Sequence, residues 1–389
     1  MDLFTFNIVE IILLASIGIL LIIQIIYYFS LYNQLHVHNK AASEGDLIYE
    51  TDLPPISVII SARNESENLR KYLPSILEQD YPNFEVIVIN DGSTDESEDV
   101  LTILEEQYTN LYHTFTPDGA RYISRKKLAL TVGIKASKYD WLVFTDADCR
   151  PASKEWLRLM ARNFTPRTEI VLGYSGYEQN KGWFYRKVSF TNLFMSMRFL
   201  GFALIDKPYM GIGRNMAYRK ELFFKNKGFS SHLNLQRGDD DLFINEVATP
   251  YNTKVETSPG AIIRMEPAYG YKSWKEEKVS YLATSHFFHG AQRYLLGFET
   301  TSRLLFIATI IGTIAIGIIN KQWVVLGLAI LAYILRFVMQ IVIINKTATD
   351  LEERKYYLTL PIFDIVLPLD VLKFKLFRTI RGKGDYMRR

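Results

Sequence analysis

The sequence predicts an α/β domain built on a mostly parallel sheet, held between transmembrane helices at both ends of the chain. Three observations carry this. No Asp, Glu, Lys or Arg occurs between Glu10 and Lys40, and long apolar blocks return only near residue 304. From Pro54 onward, short β-branched runs alternate with amphipathic stretches, and acidic or small polar residues stand just after those runs. The 389 residues suffice for two or three domains with cores of their own. A mean hydropathy of +0.01 hides two populations, a polar middle and apolar ends. With 45 Lys+Arg against 42 Asp+Glu, the net charge of +3 does not point to nucleic acid. The single cysteine, Cys149, excludes a disulfide framework and a multi-cysteine zinc or iron–sulfur site.

Residues 11–28 are apolar apart from Gln24 and small residues, long enough to cross a hydrocarbon core of roughly 30 Å. A cleaved signal peptide would want basic residues before a shorter apolar core, whereas this N-terminus carries Asp2 and Glu10. Blocks 304–319 and 323–344 are separated by Asn-Lys-Gln, which makes them an antiparallel hairpin. The stretch 358–380 is interrupted by Pro361, Asp364, Pro368 and Asp370 and reads as an amphipathic or re-entrant segment at the interface. The last residues carry Lys373, Lys375, Arg378, Arg381, Lys383, Arg388 and Arg389 against Asp385, so the positive-inside rule puts this tail in the cytoplasm. Counting back gives four parts: a transmembrane anchor (1–39), a cytoplasmic domain (40–300), a transmembrane hairpin (301–345), and an interfacial segment with a basic cytoplasmic tail (346–389). The expected location is the cell membrane, multi-pass. Arg336, deep in the last span, must face a polar interior or snorkel.

Within the polar middle, residues 56–62 (ISVIISA) read as a buried parallel strand, 64–79 as a helix, 84–90 (FEVIVIN) as a second strand, 124–137 as a helix and 141–149 (WLVFTDADC) as a third strand. Ligands of such sheets bind at the carboxyl ends of the strands. Three constellations stand there. Asp91-Gly92-Ser93, beside Ala62-Arg63-Asn64-Glu65, could meet a base or ribose, although D-G-S is also a common turn. Asp146 and Asp148 are two carboxylates that a hard cation, Mg²⁺ or Mn²⁺, would reconcile, or simply two acids on a solvated loop. Gly238-Asp239-Asp240-Asp241-Leu242 either caps a helix or supplies a general base.

Together these residues resemble the inverting family-2 glycosyltransferases of the GT-A (Rossmann-like) fold, in their membrane-bound branch. The resemblance rests on four blocks in order: residues 54–97, 125–149, GIGRNMAYRKELF (211–223) and GDDDLFINEV (238–247). It implies that Ala62, Asn64, Glu65, Asp91, Gly92 and Ser93 line the nucleotide pocket, with Lys126 beside the nucleotide. Asp146 and Asp148 would be the D-x-D pair that holds a nucleoside diphosphate through Mg²⁺ or Mn²⁺. The loop with Gly211, Gly213 and Asn215 would face sugar and acceptor, with Asp241. Asp239 falls at the family's base position, and with three adjacent acids Asp240 competes. The implied partners are a nucleotide-sugar donor, most commonly a UDP-sugar, a lipid-linked or saccharide acceptor, and membrane lipids.

The processive members' Q-x-x-R-W has no proper match here; the nearest frame is Glu277-Lys278-Val279-Ser280-Tyr281. Trp274, Lys278 and Tyr281 could still form an acceptor surface or belong to the core. The sequence therefore favours one transfer per acceptor over polysaccharide synthesis and export. A catalytically silent nucleotide-sugar sensor would not need the GDDDL block. A dinucleotide enzyme would need a G-x-G-x-x-G after the first strand, where Arg-Asn-Glu-Ser stands instead.

Overall fold

The computed structural model describes residues 6–117, 124–233, 235–267 and 270–381. The end of the basic tail, with Lys383, Asp385, Arg388 and Arg389, lies outside the described residues. Helix α1 (Ile8–Tyr27) starts on a reciprocal cap. Asn7 Oδ1 accepts from the Glu10 amide and Glu10 Oε2 from the Asn7 amide, each at 2.9 Å. One π-helical turn (Tyr28–Tyr32) joins it to α2 (Gln34–Glu44). The remaining helices of the apolar part are α11 (Gln292–Ile319), α12 (Trp323–Asp350) and α13 (Leu360–Arg381). The continuous rod Ile8–Glu44 and helices α11 and α12 are each long and apolar enough to cross a membrane.

Between them lie, in order, β1 (Ile56–Ala62), α3 (Ser66–Leu77), β2 (Phe84–Asn90), α4 (Ser97–Gln107), β3 (Leu111–Phe115), α5 (Arg125–Ala136), β4 (Trp141–Phe144), β5 (Cys149–Pro151), α6 (Trp156–Ala161), β6 (Ile170–Gly173) and β7 (Ser175–Tyr177). Then come α7 (Trp183–Leu204), β8 (Met216–Arg219), α8 (Lys220–Lys225), α9 (Asp241–Val247), β9 (Thr253–Glu256), β10 (Ile263–Met265) and α10 (Gly270–Thr284). Seven strands form the main sheet in the order β3-β2-β1-β4-β8-β6-β9, parallel except where β8 runs against β4 and β6. Strands β5, β10 and β7 form a second, small sheet. Side-chain alternation sends Val58, Ile60, Val86, Val88 and Val143 to one face, under α3, α4 and α6. Ile59, Ile87, Ile89, Leu142 and Phe144 go to the other, toward α5 and α7. The result is the mostly parallel, helix-flanked sheet that the strand pattern implies, with the mixed order that the resemblance to GT-A folds implies.

Two expectations need correction. Residues 141–149 are not one strand: β4 stops at Phe144, opposite Ile59, while β1 runs on to Ala62. Continued pairing would carry Asp146 onto the face where Phe144 is packed, so the chain bends there and Cys149 pairs with Met265 in the second sheet. The stretch 358–380 is not broken, because α13 runs through Pro368. It buries Phe363, Asp364, Leu367 and Phe374 and exposes Ile362, Ile365, Leu369, Leu372 and Leu376, a single stripe at helical spacing.

Arg336 neither snorkels nor stands alone. Only 1% exposed, it donates to Asp364 of α13 at 2.7 and 3.2 Å and to Gln24 of α1 at 3.3 and 3.1 Å. Asp364 also accepts from Gln340 at 3.0 Å and faces Arg303 of α11 at 3.5 Å. Breaking a buried pair leaves an uncompensated charge, at a cost of about 3–5 kcal/mol. Asp364→Leu leaves Arg336 without an acid and Arg303 with Glu299 alone, whereas Arg336→Met leaves Asp364 its Arg303 and Gln340 partners. Thermal unfolding in detergent should therefore rank Asp364→Leu well below Arg336→Met, and equal losses would contradict this network.

Candidate active site

The carboxyl ends of β1, β2 and β4 set the site. Register pairs Ala62 with Asn90, so the loops that follow β1 and β2 emerge side by side. They are knitted together locally. The Asn64 amide donates to Ser93 Oγ at 2.9 Å, the Thr94 amide to Asn64 Oδ1 at 2.8 Å, and the Ser93 amide to Asn90 Oδ1 at 3.0 Å. Asn64 sits at φ +55°, which ends the strand and delays α3 to Ser66. A cleft of about 430 Å³ opens here, lined among others by Asn64, Glu65, Asn68 and Asp95. Burial raises the Glu65 pKa, against its hydrogen bond from Asn68, and the charges of Asp148 and Asp146 push the same way. Asp91 is buried and accepts from Thr116 Oγ1 at 3.0 Å and Arg125 Nε at 3.1 Å. Gly92, at φ +65°, has no room for a Cβ because the Arg125 guanidinium lies over it.

Helix α5 enters this region with three consecutive cations. Arg125 holds Asp91. Lys126 Nζ donates to Asp146 Oδ1 at 2.9 Å and lies 3.7 Å from Asp239 Oδ2. Burial works against the Lys126 charge, but Asp146, Asp239 and Asp240 outweigh it and raise its pKa. Lys127, fully buried, donates to the carbonyls of His232 at 2.5 Å, Leu235 at 3.0 Å and Arg237 at 2.9 Å. That one ammonium shapes the segment leading into Asp239. Burial lowers its pKa to about 8, with nearby Asp239 and Asp241 opposing.

Asp146 and Asp148 stand on the bend after β4. Asp146 faces Arg214 Nε at 3.6 Å as well as Lys126; burial opposes its ionisation, and these two cations prevail and lower its pKa. Asp148 has a weaker partner, the Cys149 thiol at 3.4 Å, and burial together with Asp146 raises its pKa. Arg214 continues to Glu277 of α10 at 3.1 Å, and Lys278 Nζ lies 3.7 Å from the same carboxylate. Burial pushes the Glu277 pKa up, but Lys278 and Arg214 prevail and bring it to about 2. The Tyr281 ring carries Arg237 at 4.9 Å and Lys278 at 5.7 Å.

The three adjacent acids divide their work. Asp240 caps α9 by accepting from the Asp241 amide at 2.8 Å and reaches across to the Gly213 amide at 3.0 Å. Asp241 turns inward, accepting from the Leu242 amide at 2.8 Å and from the Thr284 hydroxyl of α10. Burial, then the Asp240 charge, raises its pKa to about 8. Asp239 carries no such backbone bond among the described residues and faces Lys126.

The structure thus gathers Lys126, Asp146, Asp148, Asp239, Asp240, Gly213, Lys278 and Tyr281, with Ala62, Asn64, Glu65, Asp91, Gly92 and Ser93 along one side. Four expected positions fall elsewhere. Asn215 spends its amide on Trp156 Nε1 at 3.0 Å and on the Tyr174 and Ala261 carbonyls at 2.8 Å each, a buried crosslink rather than a sugar contact. Gly211 packs against Leu172 and Ile244. Trp274 is 1% exposed among Phe184, Phe374 and Lys187, a core residue that seats α10 on α7 and α13. Asp241 faces α10, not an acceptor. Sequence reasoning missed Arg125, Lys127, Arg214 and Arg237. The signal was there in Arg125-Lys126-Lys127, because cations at a helix N-terminus oppose its dipole and need anionic partners.

A model of the family described as glycosyl transferase family 2 matches residues 57–225. Glycosyltransferase AglE of Haloferax volcanii is 34% identical over 108 residues, 27% of this chain and 34% of that protein. Poly-beta-1,6-N-acetyl-D-glucosamine synthase of Staphylococcus epidermidis is 33% identical over 93 residues, 24% of this chain and 21% of that protein. The chain thus matches about a third or less of the length of these curated relatives. In fold it is similar to the mannosyltransferase PcManGT from Pyrobaculum calidifontis, solved in complex with GDP-Man and Mn²⁺. That TM-score is 0.52 at 17% identity, covering 88% of this chain and 98% of that one. The order of the sheet, the strand-end carboxylates and these matches agree: residues 57–225 match glycosyl transferase family 2, and the fold is GT-A-like.

Proposed function

We propose that the chain moves a sugar from a nucleoside-diphosphate donor, UDP-linked in the first instance, to a hydroxyl of a lipid-linked or saccharide acceptor, with inversion. The observation that carries this is Lys126, one ammonium 2.9 Å from Asp146 and 3.7 Å from Asp239, between a strand-end acid and a helix-start acid. Glu65, Asp91 and the knitted Asn64–Ser93 turns take the nucleoside end. Asp239 accepts the acceptor's proton, since both oxygens of Asp240 already hold backbone amides. The acceptor oxygen bonds to the anomeric carbon as the bond to phosphate breaks, and the electron pair leaves on the nucleoside diphosphate.

The residues also fit a divalent cation, Mg²⁺ or Mn²⁺. Asp148 is a half-buried carboxyl whose one hydrogen-bond partner is a thiol, while Asp146 is already balanced by cations. Among the described residues no three His, Cys, Asp or Glu side chains converge, so phosphate oxygens of the donor would complete the shell. When bound, the cation supplies neutralisation of the leaving diphosphate. Arg214, Arg237 and Tyr281 border the acceptor side. With Glu277 held by Arg214 where processive enzymes place Q-x-x-R-W, we favour one transfer per acceptor. The catalytic domain faces the cytoplasm of a cell membrane, with the exposed apolar stripe of α13 against the lipid.

Four results test this reading. Detergent-purified protein should release nucleoside diphosphate from one donor in a panel of UDP-glucose, UDP-GlcNAc, UDP-galactose and GDP-mannose, and EDTA should stop it. Asp239→Asn should lower turnover by about 10²–10⁴-fold while donor binding survives; full activity in this variant with loss in Asp240→Asn would reverse the assignment. Lys127→Met should lower kcat by up to ~10²-fold through misplacement of Asp239, with donor affinity kept and partial rescue by Lys127→Arg. Asp241→Asn should keep activity and alter the pH dependence of stability. A carboxyl with a folded pKa near 8, raised from 3.8, contributes stability at low pH that is lost as pH rises through 8. Melting temperatures of the native protein should therefore fall relative to Asp241→Asn between pH 5 and 9, and parallel curves would refute the buried protonated state.

A further inference from the structure

A groove of about 420 Å³ runs between α1 and α12 and shares no lining residue with the strand-end cleft, within the roughly 300–1,000 Å³ range of ligand sites. Its walls are apolar, with Leu21 and Ile25 from α1 and Leu335, Met339 and Val342 from α12. Both helices are membrane-span candidates. Its lining changes character at one end only, where Asn33 and Lys346 complete it. Lys346 is exposed and has neither a hydrogen bond nor an acid within 4 Å among the described residues, and the Asn33 side-chain amide is likewise unpaired. The same end is where α1 passes through its π-helical turn, Tyr28–Tyr32, whose Phe29 lines the groove. π-turns widen a helix at a cost in hydrogen-bond geometry and concentrate at functional positions. That end also lies beside the sheet domain, since Thr257, just after β9, donates to Asn39 of α2 at 2.6 Å.

We propose that this groove holds one chain of a membrane lipid whose phosphate headgroup is net anionic, with Lys346 and Asn33 as the headgroup contacts. The apolar length requires a hydrocarbon occupant. The single unpaired ammonium, beside an amide that can donate, selects an anionic head where the chain meets the interface. Neutral headgroups gain nothing from Lys346. The inference rests on the membrane placement of α1 and α12 and is independent of sugar transfer.

The test is native mass spectrometry of the full-length protein in mild detergent, with phosphatidylglycerol and phosphatidylcholine of identical chains in equal amounts. One phosphatidylglycerol should be retained about fivefold better than phosphatidylcholine. Lys346→Gln should abolish that preference, Val342→Trp should reduce retention of both lipids by filling the groove, and Lys321→Gln, at the opposite end of α12, should change neither. Equal retention of the two lipids by the native protein, or a preference that survives Lys346→Gln, overturns the proposal. Monodisperse elution and unchanged thermal unfolding of the variants show that they are folded. Extraction of the protein by detergent but not by carbonate checks the membrane placement separately, so that its failure is distinguishable from failure of the groove.

Discussion

Three adjacent cations at the start of α5 are the constraint on which the catalytic end depends. Arg125 pins the turn after β2 through Asp91, Lys126 spans the acids of the β4 bend and of α9, and Lys127 gathers the carbonyls of residues 232, 235 and 237. Each such charge at a helix N-terminus is disfavoured by about 0.3–1 kcal/mol. Carboxylates brought by other loops reverse that sign. The loops are held because the helix would otherwise be frustrated, and Asp146 stays ionised because the helix cation is there. Removing any one of the three cations frees a different loop, which is why their effects should differ in kind and not only in size.

The sheet domain is fastened to its long apolar helices at several places, two of them remote from this point. Arg198 of α7 donates to Glu299 of α11 at 2.6 Å. Just past α12, Glu353 accepts from Tyr174 at 2.9 Å and from Arg264 of the second sheet at 2.6 Å. The buried α7 carries the first link and shares the core with the π-helical turn of the N-terminal rod. The apolar ends of the chain therefore act as one body with the sheet and do not merely tether it.

Much of this was legible from the residues. Continuous β-branched runs gave β1 and β2 to the residue, because strands buried on both faces must be continuous and apolar. The long uncharged blocks gave three apolar helices for the same kind of reason. What escaped reading is long-range. Nothing local says that Asn215 bonds Trp156, 59 positions away, or that Asp241 meets Thr284, 43 away. A motif tells which residue types recur together, but pairing in space decides which of its polar atoms are already spent. Pro368 misled for a related reason. Its helix is supported by packing of Phe363, Leu367 and Phe374, which outweighs a local breaker.

Two of the buried charge clusters among the described residues follow one rule with opposite results. In the apolar part every carboxylate oxygen of Asp364 and Glu299 faces an arginine within 4 Å, so the cluster is closed and serves to lock helices. At the strand ends the count is left open. The Lys126 side chain keeps 41% of its exposure although three acids surround it, and Asp148 has only a thiol. A buried carboxyl without a cation is costly unless it is protonated or a ligand arrives. Among the strand-end acids the fold tolerates that cost at Asp148 and, with only the Asn68 amide as partner, at Glu65. The open position in an otherwise balanced array is where a charged ligand changes the energy most, and that is the physical argument for placing the donor's phosphates there.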